Sequence, residues 1–257
     1  MSKNYSINKS LEKALGLLEY FDEEHEVWGV TELSKKSGVS KATLYRMFNT
    51  FEKQGYLERI DIQGKTNQYR LGLKLIKYGV LVSDRLEIKN IAHPYMVKLK
   101  NIINEDVQLI LRDNYNVIYV EKIKCDHPVR LYTKIGRSAT FNAGACPRAI
   151  LSFLTNEEID DIMENSDFIK YTKNTVMDKE KLWESIKEAR REGYTISYGE
   201  MEEQTIAIGA PIFDTTKRVI ASISIAGPEQ RFTPDKIKYL IKKTLESANK
   251  ISKALGY

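Results

Sequence analysis

The sequence predicts an α+β protein: an N-terminal winged helix-turn-helix, a linker helix and a C-terminal domain with a mostly antiparallel sheet. Three observations lead to this fold class. The 257 residues are enough for two ordinary domains. In the first third, apolar residues have helical spacing in three short segments, and two strand-like segments follow. In the remainder, strands and helices come in groups rather than in strict alternation, which is typical of α+β proteins.

Three helices are predicted at the start of the N-terminal domain, which we place at residues 6–71. Leucines recur at helical spacing from Leu11 onwards and predict the first helix. Thr31 is placed to cap a short second helix, and Ser40 to cap a third helix that reaches Gln54. A glycine follows each of the last two helices, where a left-handed residue commonly ends a helix.

A hairpin and a further helix complete this half of the chain. Two strand-like segments, residues 56–62 and 67–71, are joined by the turn Gln63-Gly64-Lys65. Residues 72–85 again carry apolar residues at helical spacing and contain no proline, so we predict a stiff linker helix. Helices followed by a hairpin are the element order of a winged helix domain.

The C-terminal domain, residues 86–257, is predicted to combine one sheet with several helices. Its strands are expected at residues 106–112, 117–124, 129–135, 194–197, 205–213 and 218–226. Its first helix is expected to end at Asn104. Four further helices are expected to begin at Pro147, at a capping box on Thr155, after Asp178 and at Pro234.

The third helix of the N-terminal domain has a polar face that suits DNA. On a helical wheel Ala42, Arg46, Asn49 and Lys53 fall opposite the apolar residues, with Tyr45 at the edge of their arc. Arginine can bond guanine with two hydrogen bonds, asparagine can do so with adenine, and alanine can contact a thymine methyl group. The pattern therefore predicts a recognition helix for the major groove of double-stranded operator DNA.

The surroundings of this helix favour DNA binding over the alternative of a merely solvated face. The net charge of +5 would not identify a nucleic-acid-binding protein by itself. However, eight Lys or Arg stand against three Asp or Glu between Lys35 and Arg70. The turn before the helix has the expected spacing, and a hairpin with a basic tip follows it. The predicted DNA-contacting residues are Ser40, Lys41, Ala42, Thr43, Tyr45, Arg46, Asn49, Lys53 and Lys65.

Two neighbouring strands of the C-terminal domain carry small residues on one face. The simplest hairpin register pairs Phe213 with Arg218 and places Gly209 opposite Ser222. It brings six small residues to one face: Thr205, Ala207, Gly209, Ser222, Ser224 and Ala226. Two interpretations remain open, because the space over such a face can hold a ligand or admit a closely packed helix.

A second feature favours the ligand. The stretch from Gly144 to Arg148 is predicted to begin a helix, with Pro147 in its first position. Free amides at the start of a helix attract anions such as carboxylates. Together with the small-residue face, this stretch predicts a pocket for a small organic acid.

Six motifs along the chain carry a resemblance to a known family. In the N-terminal half they are Gly-Val-Ser-Lys-Ala-Thr-Leu-Tyr-Arg-Met-Phe (38–48), Gly-Tyr-Leu-Glu (55–58) and Tyr-Arg-Leu-Gly (69–72). In the C-terminal half they are Arg-Glu-Gly-Tyr (191–194), Ala-Pro-Ile-Phe-Asp (210–214) and Ile-Ser-Ile-Ala-Gly-Pro (223–228). Because these motifs occur in this order and at this spacing, nearly the whole chain resembles the isocitrate-lyase-regulator (IclR) family of bacterial transcription factors.

The resemblance implies a GAF-like effector domain, dimers formed through the DNA-binding half, and tetramers formed through effector domains. Effectors of similar proteins are often small organic acids or aromatic compounds. Repression is the commoner mode of such proteins, and activation is the alternative. With the residues singled out above, the predicted effector-contacting set is Gly144, Ala145, Cys146, Ser197, Glu200, Thr205, Ala207, Ser222, Ser224 and Ala226. Pro147-Arg148 stands where many members have Gly-Lys, so the identity of the ligand cannot be carried over.

Other classes of function find little support. Two cysteines and no long apolar segment predict a cytoplasmic protein without membrane attachment. Cys146, with a pKa lowered at a helix start, and His127 as its base are the elements of a cysteine-dependent enzyme. No acid is placed to orient that histidine, so we assign no catalytic residue. Cys125 and His127 are the only close pair among the cysteines and histidines and supply too few ligands for a metal site, so we expect neither metal nor cofactor. A sensor that acts only on protein partners is disfavoured by the basic helix face.

Overall fold

The structure is a computed structural model in which the chain forms two compact units, Met1–Arg85 and Leu86–Tyr257. It describes residues 7–22, 24–62, 65–129, 131 and 133–257, with the backbone alone at positions 62, 65 and 66. The predicted turn residues Gln63 and Gly64 therefore lie outside the described residues.

The N-terminal unit is a helix-turn-helix with a small sheet. Its described helices are α1 (Lys9–Gly16), α2 (Val30–Ser37), α3 (Lys41–Lys53) and α4 (Lys74–Asp84). Its strands are β1 (Trp28–Gly29), β2 (Leu57–Ile62) and β3 (Lys65–Leu71), antiparallel in the order β1-β3-β2. Phe48 of α3 is fully buried, and its ring centroid lies 4.9 Å from that of Tyr69 and 6.3 Å from that of Phe21. These contacts hold α3 against the β2–β3 hairpin and leave its other face outward.

The N-terminal unit differs from the sequence prediction in its details. The prediction that Thr31 caps α2 is wrong, because α2 begins at Val30 and Gly29 occupies the cap position. Strand β1 was not predicted, since two residues are too few to show alternation. The apolar face of α1 is open to solvent in the single chain, with Leu11 56% and Leu15 51% exposed.

Glycine replacements in this unit are expected to change its stability in opposite directions. Gly38 ends α2 with a φ of 70°, whereas Gly79 lies within α4, and an added Cβ would meet no atom within 4 Å at either position. Gly38→Ala is expected to lower the free energy of unfolding by about 1–2 kcal/mol, because a Cβ is strained in the left-handed region. Gly79→Ala is expected to raise it by about 0.5–1 kcal/mol through helix propensity. Urea unfolding of the full chain measures both, and a stabilising Gly38→Ala would contradict the assigned turn.

The C-terminal unit is one antiparallel sheet with helices on both faces. Its described helices are α5 (Glu87–Ile103), α6 (Ala145–Leu151), α7 (Asn156–Asn165), α8 (Lys179–Glu192) and α9 (Pro234–Ala254). Its strands are β4 (Asp106–Asp113), β5 (Asn116–Ile123), β6 (Ser138–Thr140), β7 (Thr195–Tyr198), β8 (Thr205–Phe213) and β9 (Val219–Pro228). The sheet order is β6-β5-β4-β9-β8-β7, which confirms the predicted α+β class. None of the described helices combines the length and the apolar character that a membrane span requires.

Alternation along β8 and β9 separates two layers of the core. Ile208 and Ile225 pack with the buried residues of α5 and α9 on one face of the sheet. On the other face α6 approaches Gly209 so closely that an added Cβ would lie 2.7 Å from the carbonyl oxygen of Ala145. The small residues in this part of the face therefore admit a helix.

Two predicted element positions in the C-terminal unit are wrong. The described residues within 129–135 form no strand, because residues 136–140 already pair with β5: the amide of Tyr119 donates to the carbonyl of Arg137 at 3.0 Å. Pro147 is the third residue of α6, not the first, since α6 begins at Ala145. Proline is tolerated there because the first turn of a helix leaves its amides unbonded.

The predicted β8–β9 register is also wrong, by two residues. Gly209 pairs with Ser224 rather than Ser222, and Phe213 pairs with Val219 across a bulge. Asp214 lengthens the connecting turn, where its carboxylate accepts hydrogen bonds from the amides of Thr216 and Arg218. A shift of two leaves every side chain on its predicted face.

Candidate DNA-binding face and ligand cavity

The N-terminus of α3 is built by a local capping arrangement. The hydroxyl of Ser40 accepts a hydrogen bond from the amide of Thr43 at 3.3 Å and donates one to the Thr43 hydroxyl at 2.9 Å. This cap fixes where the helix begins and therefore which residues face outward. The side chains of the predicted arc are exposed, namely Lys41, Ala42, Tyr45, Arg46, Asn49 and Lys53. The backbone of Lys65 lies in β3, and its side chain lies outside the described residues.

One residue of the arc has a partner that the sequence did not reveal. Arg59 of β2 donates to the amide oxygen of Asn49 and to the carboxylate of Glu52, both at 2.8 Å. Bidentate recognition of adenine by Asn49 uses its amide oxygen as well as its nitrogen, so the bond from Arg59 occupies one of the two acceptor positions on that oxygen and constrains its orientation. Arg59 becomes a neighbour of the face only through the β2–β3 hairpin, and no spacing along the chain indicates it.

A cavity lies between α6, the β7–β8 loop and the small-residue face of the sheet. Seven predicted effector-contacting residues line it: Gly144, Ala145, Cys146, Thr205, Ala207, Ser224 and Ala226. The sequence missed eight further lining residues: Gln108, Tyr119, Leu131, Thr133, Arg137, Pro147, Met201 and Glu202. The cavity volume is about 40 Å³, which is room for water or a very small ligand. A larger ligand requires the side chains of the wall to move apart.

The missed residues come from strands that neighbour the predicted hairpin. Gln108 of β4 pairs with Ser224 of β9, so the two side chains share a face. Its amide donates to the Thr133 hydroxyl at 3.0 Å, and its oxygen lies 3.4 Å from the Ser224 hydroxyl. A polar residue within the otherwise apolar residues 107–111 of β4 was the available signal. The pairing of β4 with β9 was not predictable from local pattern.

Three predicted effector-contacting residues do not line the cavity. The hydroxyl of Ser222 lies beneath α6, where it donates to the carbonyl of Cys146 at 2.7 Å. Ser197 is buried in β7, at the edge of the sheet. Glu200 is buried and accepts a hydrogen bond from the amide of Gly144 at 2.9 Å. The amide of Gly144, the N-cap residue of α6, is therefore occupied by the chain's own carboxylate, and the prediction of anion binding by the amides of Ala145 and Cys146 stays untested.

Glu200 also forms a buried ion pair that fastens the β7–β8 loop to α6. Its second carboxylate oxygen accepts a hydrogen bond from the Arg148 guanidinium, and both side chains are at least nine-tenths buried. The backbone carbonyl of Glu200 accepts from the Thr175 hydroxyl at 2.7 Å. These contacts fix the distance between Gly144 and the loop that carries Met201 and Glu202.

The chemistry of Cys146 differs from that of a nucleophile. Burial raises the pKa of its thiol to about 11, although the hydroxyls of Ser222 and Ser224 oppose the shift. The prediction of a pKa lowered by the helix start is therefore wrong, and the thiol is neutral at neutral pH. The described residues hold no group of three or more His, Cys, Asp or Glu side chains that could bind a metal ion.

Comparison with known proteins places the chain in a family. Residues 10–61 match the model of the IclR helix-turn-helix domain, and residues 80–253 match that of the bacterial transcriptional regulator IclR C-terminal domain. The chain is 44% identical over 250 residues to the HTH-type transcriptional regulator KipR of Bacillus subtilis, covering 97% of this chain and 98% of that protein. It is 25% identical over 250 residues to the transcriptional repressor IclR of Escherichia coli, covering 96% and 90%.

A solved structure shares the fold at lower identity. An IclR homolog from Microbacterium hydrocarbonoxydans, crystallised with 4-hydroxybenzoate, superposes with a TM-score of 0.77 at 21% identity, covering 96% of this chain and 99% of that one. The two family models together account for most of the chain, and each covers most of the unit in which one candidate site lies. The chain therefore belongs to the IclR family of helix-turn-helix transcriptional regulators.

Proposed function

We propose that this protein represses transcription by binding operator DNA through α3, and that a small organic acid in the cavity of the C-terminal unit changes its operator affinity. One observation carries the proposal: the exposed arc of α3 presents Arg46, Asn49 and Lys53 together. Arginine and asparagine supply base contacts, and lysine supplies a phosphate contact. The E. coli relative named as a repressor supports the direction of regulation.

The C-terminal cavity supports the effector half of the proposal. Its wall combines apolar surface with a few polar groups, as in many small-molecule sites. The structural neighbour crystallised with 4-hydroxybenzoate makes an aromatic acid one ligand class to test. Since Cys146 is buried as a neutral thiol, we propose a ligand-binding role for this cavity and no catalysis.

Exposed apolar helices support a homodimer, or a tetramer built from dimers. Leu11 of α1 and Ile76 and Val80 of α4 are each at least half exposed in the single chain. A second copy covering these faces would bury them and set the spacing of two α3 helices on a two-fold symmetric operator. An effector that binds two arrangements of the dimer unequally would then change operator affinity. We place the protein in the cytoplasm with its DNA.

A mobility-shift titration tests this function. The wild-type chain is titrated against DNA from upstream of its own gene at several salt concentrations. Neutralisation of about six phosphates, as in many protein–DNA complexes, predicts an affinity loss of about 10³-fold between 50 and 200 mM salt. Lactate and 4-hydroxybenzoate are then added as effector probes. Salt-insensitive binding, or none, would contradict the DNA-binding half, and unchanged binding with every acid tried would contradict the effector half.

A further inference from the structure

We propose that Arg137 is the carboxylate-recognising residue of the cavity and that Glu202 is an internal competitor which the carboxylate of the effector displaces. The inference rests on the proposed function, since it assigns recognition in that same cavity. Arg137 and Glu202 are the charged groups among the described lining residues, and the others are neutral. A ligand carboxylate in this cavity therefore meets one cation and one competing anion.

Arg137 stands on a rigid part of the wall. Its carbonyl accepts a hydrogen bond from the amide of Tyr119 at 3.0 Å, and the neighbouring amide of Gly136 donates to the Tyr119 carbonyl at 2.8 Å. These two bonds join the residue to β5 immediately before β6 begins. The guanidinium therefore starts from a fixed backbone position, as a recognition residue should.

Glu202 stands on a loop, in contrast. It lies between β7 and β8, where the Thr205 hydroxyl donates to its carbonyl at 2.6 Å. Its neighbour Met201 contacts the Tyr119 hydroxyl through its sulfur at 3.6 Å. Movement of the Glu202 side chain away from Arg137 would widen the cavity next to Met201.

The contact between Arg137 and Glu202 is long and single, unlike the ion pair of Arg231 with Glu105. Arg137 Nη1 lies 3.5 Å from Glu202 Oε1, and the two side chains are 25% and 36% exposed. The pair of Arg231 with the fully buried Glu105 has three nitrogen–oxygen contacts between 2.7 and 3.1 Å. A long single contact near solvent is easily replaced, whereas a carboxylate can accept two short bonds from a guanidinium.

The buried Tyr119 hydroxyl provides a second indication that both charges act inside the cavity. Burial is the main cause that raises the pKa of this hydroxyl. The positive charge of Arg137 lowers it and the negative charge of Glu202 raises it, so both groups reach the hydroxyl electrostatically. A ligand placed beside Tyr119 would lie in the same field.

Matched ligands and variants test the assignment. Dissociation constants of lactate and 4-hydroxybenzoate, each beside its primary amide, are measured by titration calorimetry for the wild type, Arg137→Gln and Glu202→Gln. A charge-assisted contact predicts that Arg137→Gln lowers the preference for acid over amide by about tenfold or more. Glu202→Gln is expected to raise that preference by about threefold or more, because the competing anion is gone.

Two charge-matched controls accompany them. Glu203→Gln and Arg191→Gln remove the same charges from exposed positions that do not line the cavity. They are expected to leave the preference within about twofold of the wild type. Thermal unfolding of each variant shows whether it is folded, and the acid-to-amide ratio within one variant cancels any general weakening of the site.

The possible results separate this inference from the function beneath it. If Arg137→Gln binds an acid as tightly as the wild type does, and that acid releases both proteins from DNA in the mobility-shift titration, the assignment is wrong while the proposed function stands. If Glu202→Gln weakens acid binding, Glu202 is a ligand contact rather than a competitor, and the assignment is also wrong. If neither lactate nor 4-hydroxybenzoate binds the wild type at millimolar concentration, both the inference and the effector half of the proposed function fail.

Discussion

Replacing Arg148 with methionine is expected to lower the free energy of unfolding of the C-terminal unit by about 3–5 kcal/mol. The guanidinium of Arg148 is the ion-pair partner of Glu200, and these two side chains are 3% and 9% exposed. Methionine fills a similar volume but leaves the Glu200 carboxylate buried without its counter-ion. The large expected cost comes from that uncompensated charge rather than from lost packing.

The double variant Arg148→Met/Glu200→Gln provides the control. It removes both charges, and the glutamine side-chain oxygen can still accept the hydrogen bond from the amide of Gly144. Its expected loss is about 1–2 kcal/mol, because no buried charge remains. Urea unfolding of the whole 257-residue chain, followed by near-ultraviolet circular dichroism, measures both variants. If Arg148→Met is no less stable than the double variant, Arg148 does not stabilise the unit by neutralising the Glu200 carboxylate.

Replacing Arg46 with alanine is expected to weaken binding to the preferred operator by about 1–3 kcal/mol, or about 5- to 150-fold. Its side chain is exposed on α3, between the cap at Ser40 and the buried Phe48 that holds the helix. Loss of a guanine contact removes discrimination, so binding to unrelated DNA should change less than binding to the operator.

Lys53→Ala is the comparison for Arg46→Ala. Lys53 is the last residue of α3 and is exposed. A phosphate contact there predicts similar weakening on every duplex, with the salt slope reduced by about one. Competition titrations against operator and unrelated duplexes distinguish the two patterns. Equal losses on both duplexes for Arg46→Ala would exclude a base contact.

Local signals predicted the elements that depend on neighbouring residues. Strand β8 occupies the predicted residues 205–213, and the capping box of Thr155 with Glu158 is present. The cap at Ser40 and the helix stop at Gly38 are also where the sequence places them. Each of these features is decided by side chains within four residues, so a pattern along the chain is sufficient.

Predictions failed where the outcome depends on a distant partner. Residues 129–135 alternate like a strand, but the edge of β5 is already paired by β6. Arg59 takes the amide oxygen of Asn49 only because β2 folds beside α3. The cavity was half predicted: the small residues of β8 and β9 were visible in the alternation, whereas Arg137 and Glu202 meet across 65 residues.

The space over the small-residue face is divided between α6 and the cavity, so the helix-packing interpretation is confirmed for part of the face and the ligand interpretation stays a prediction for the rest. Gly209 and Ser222 lie under α6, where only small side chains allow the close approach of the helix. Ala207, Ser224 and Ala226 line the cavity beside it. The error of two residues in the predicted register did not change which side chains share a face, because side chains alternate along a strand with a period of two.

The central claim is that the outer face of α3 enters the major groove, and site-directed cleavage of DNA tests it most directly. Both native cysteines, Cys125 and Cys146, are buried, so Ala42→Cys supplies one exposed thiol for an iron chelate. With the labelled protein bound to its operator, the account predicts strand cleavage concentrated inside each half-site. Intact operator binding without cleavage at the half-sites would contradict it.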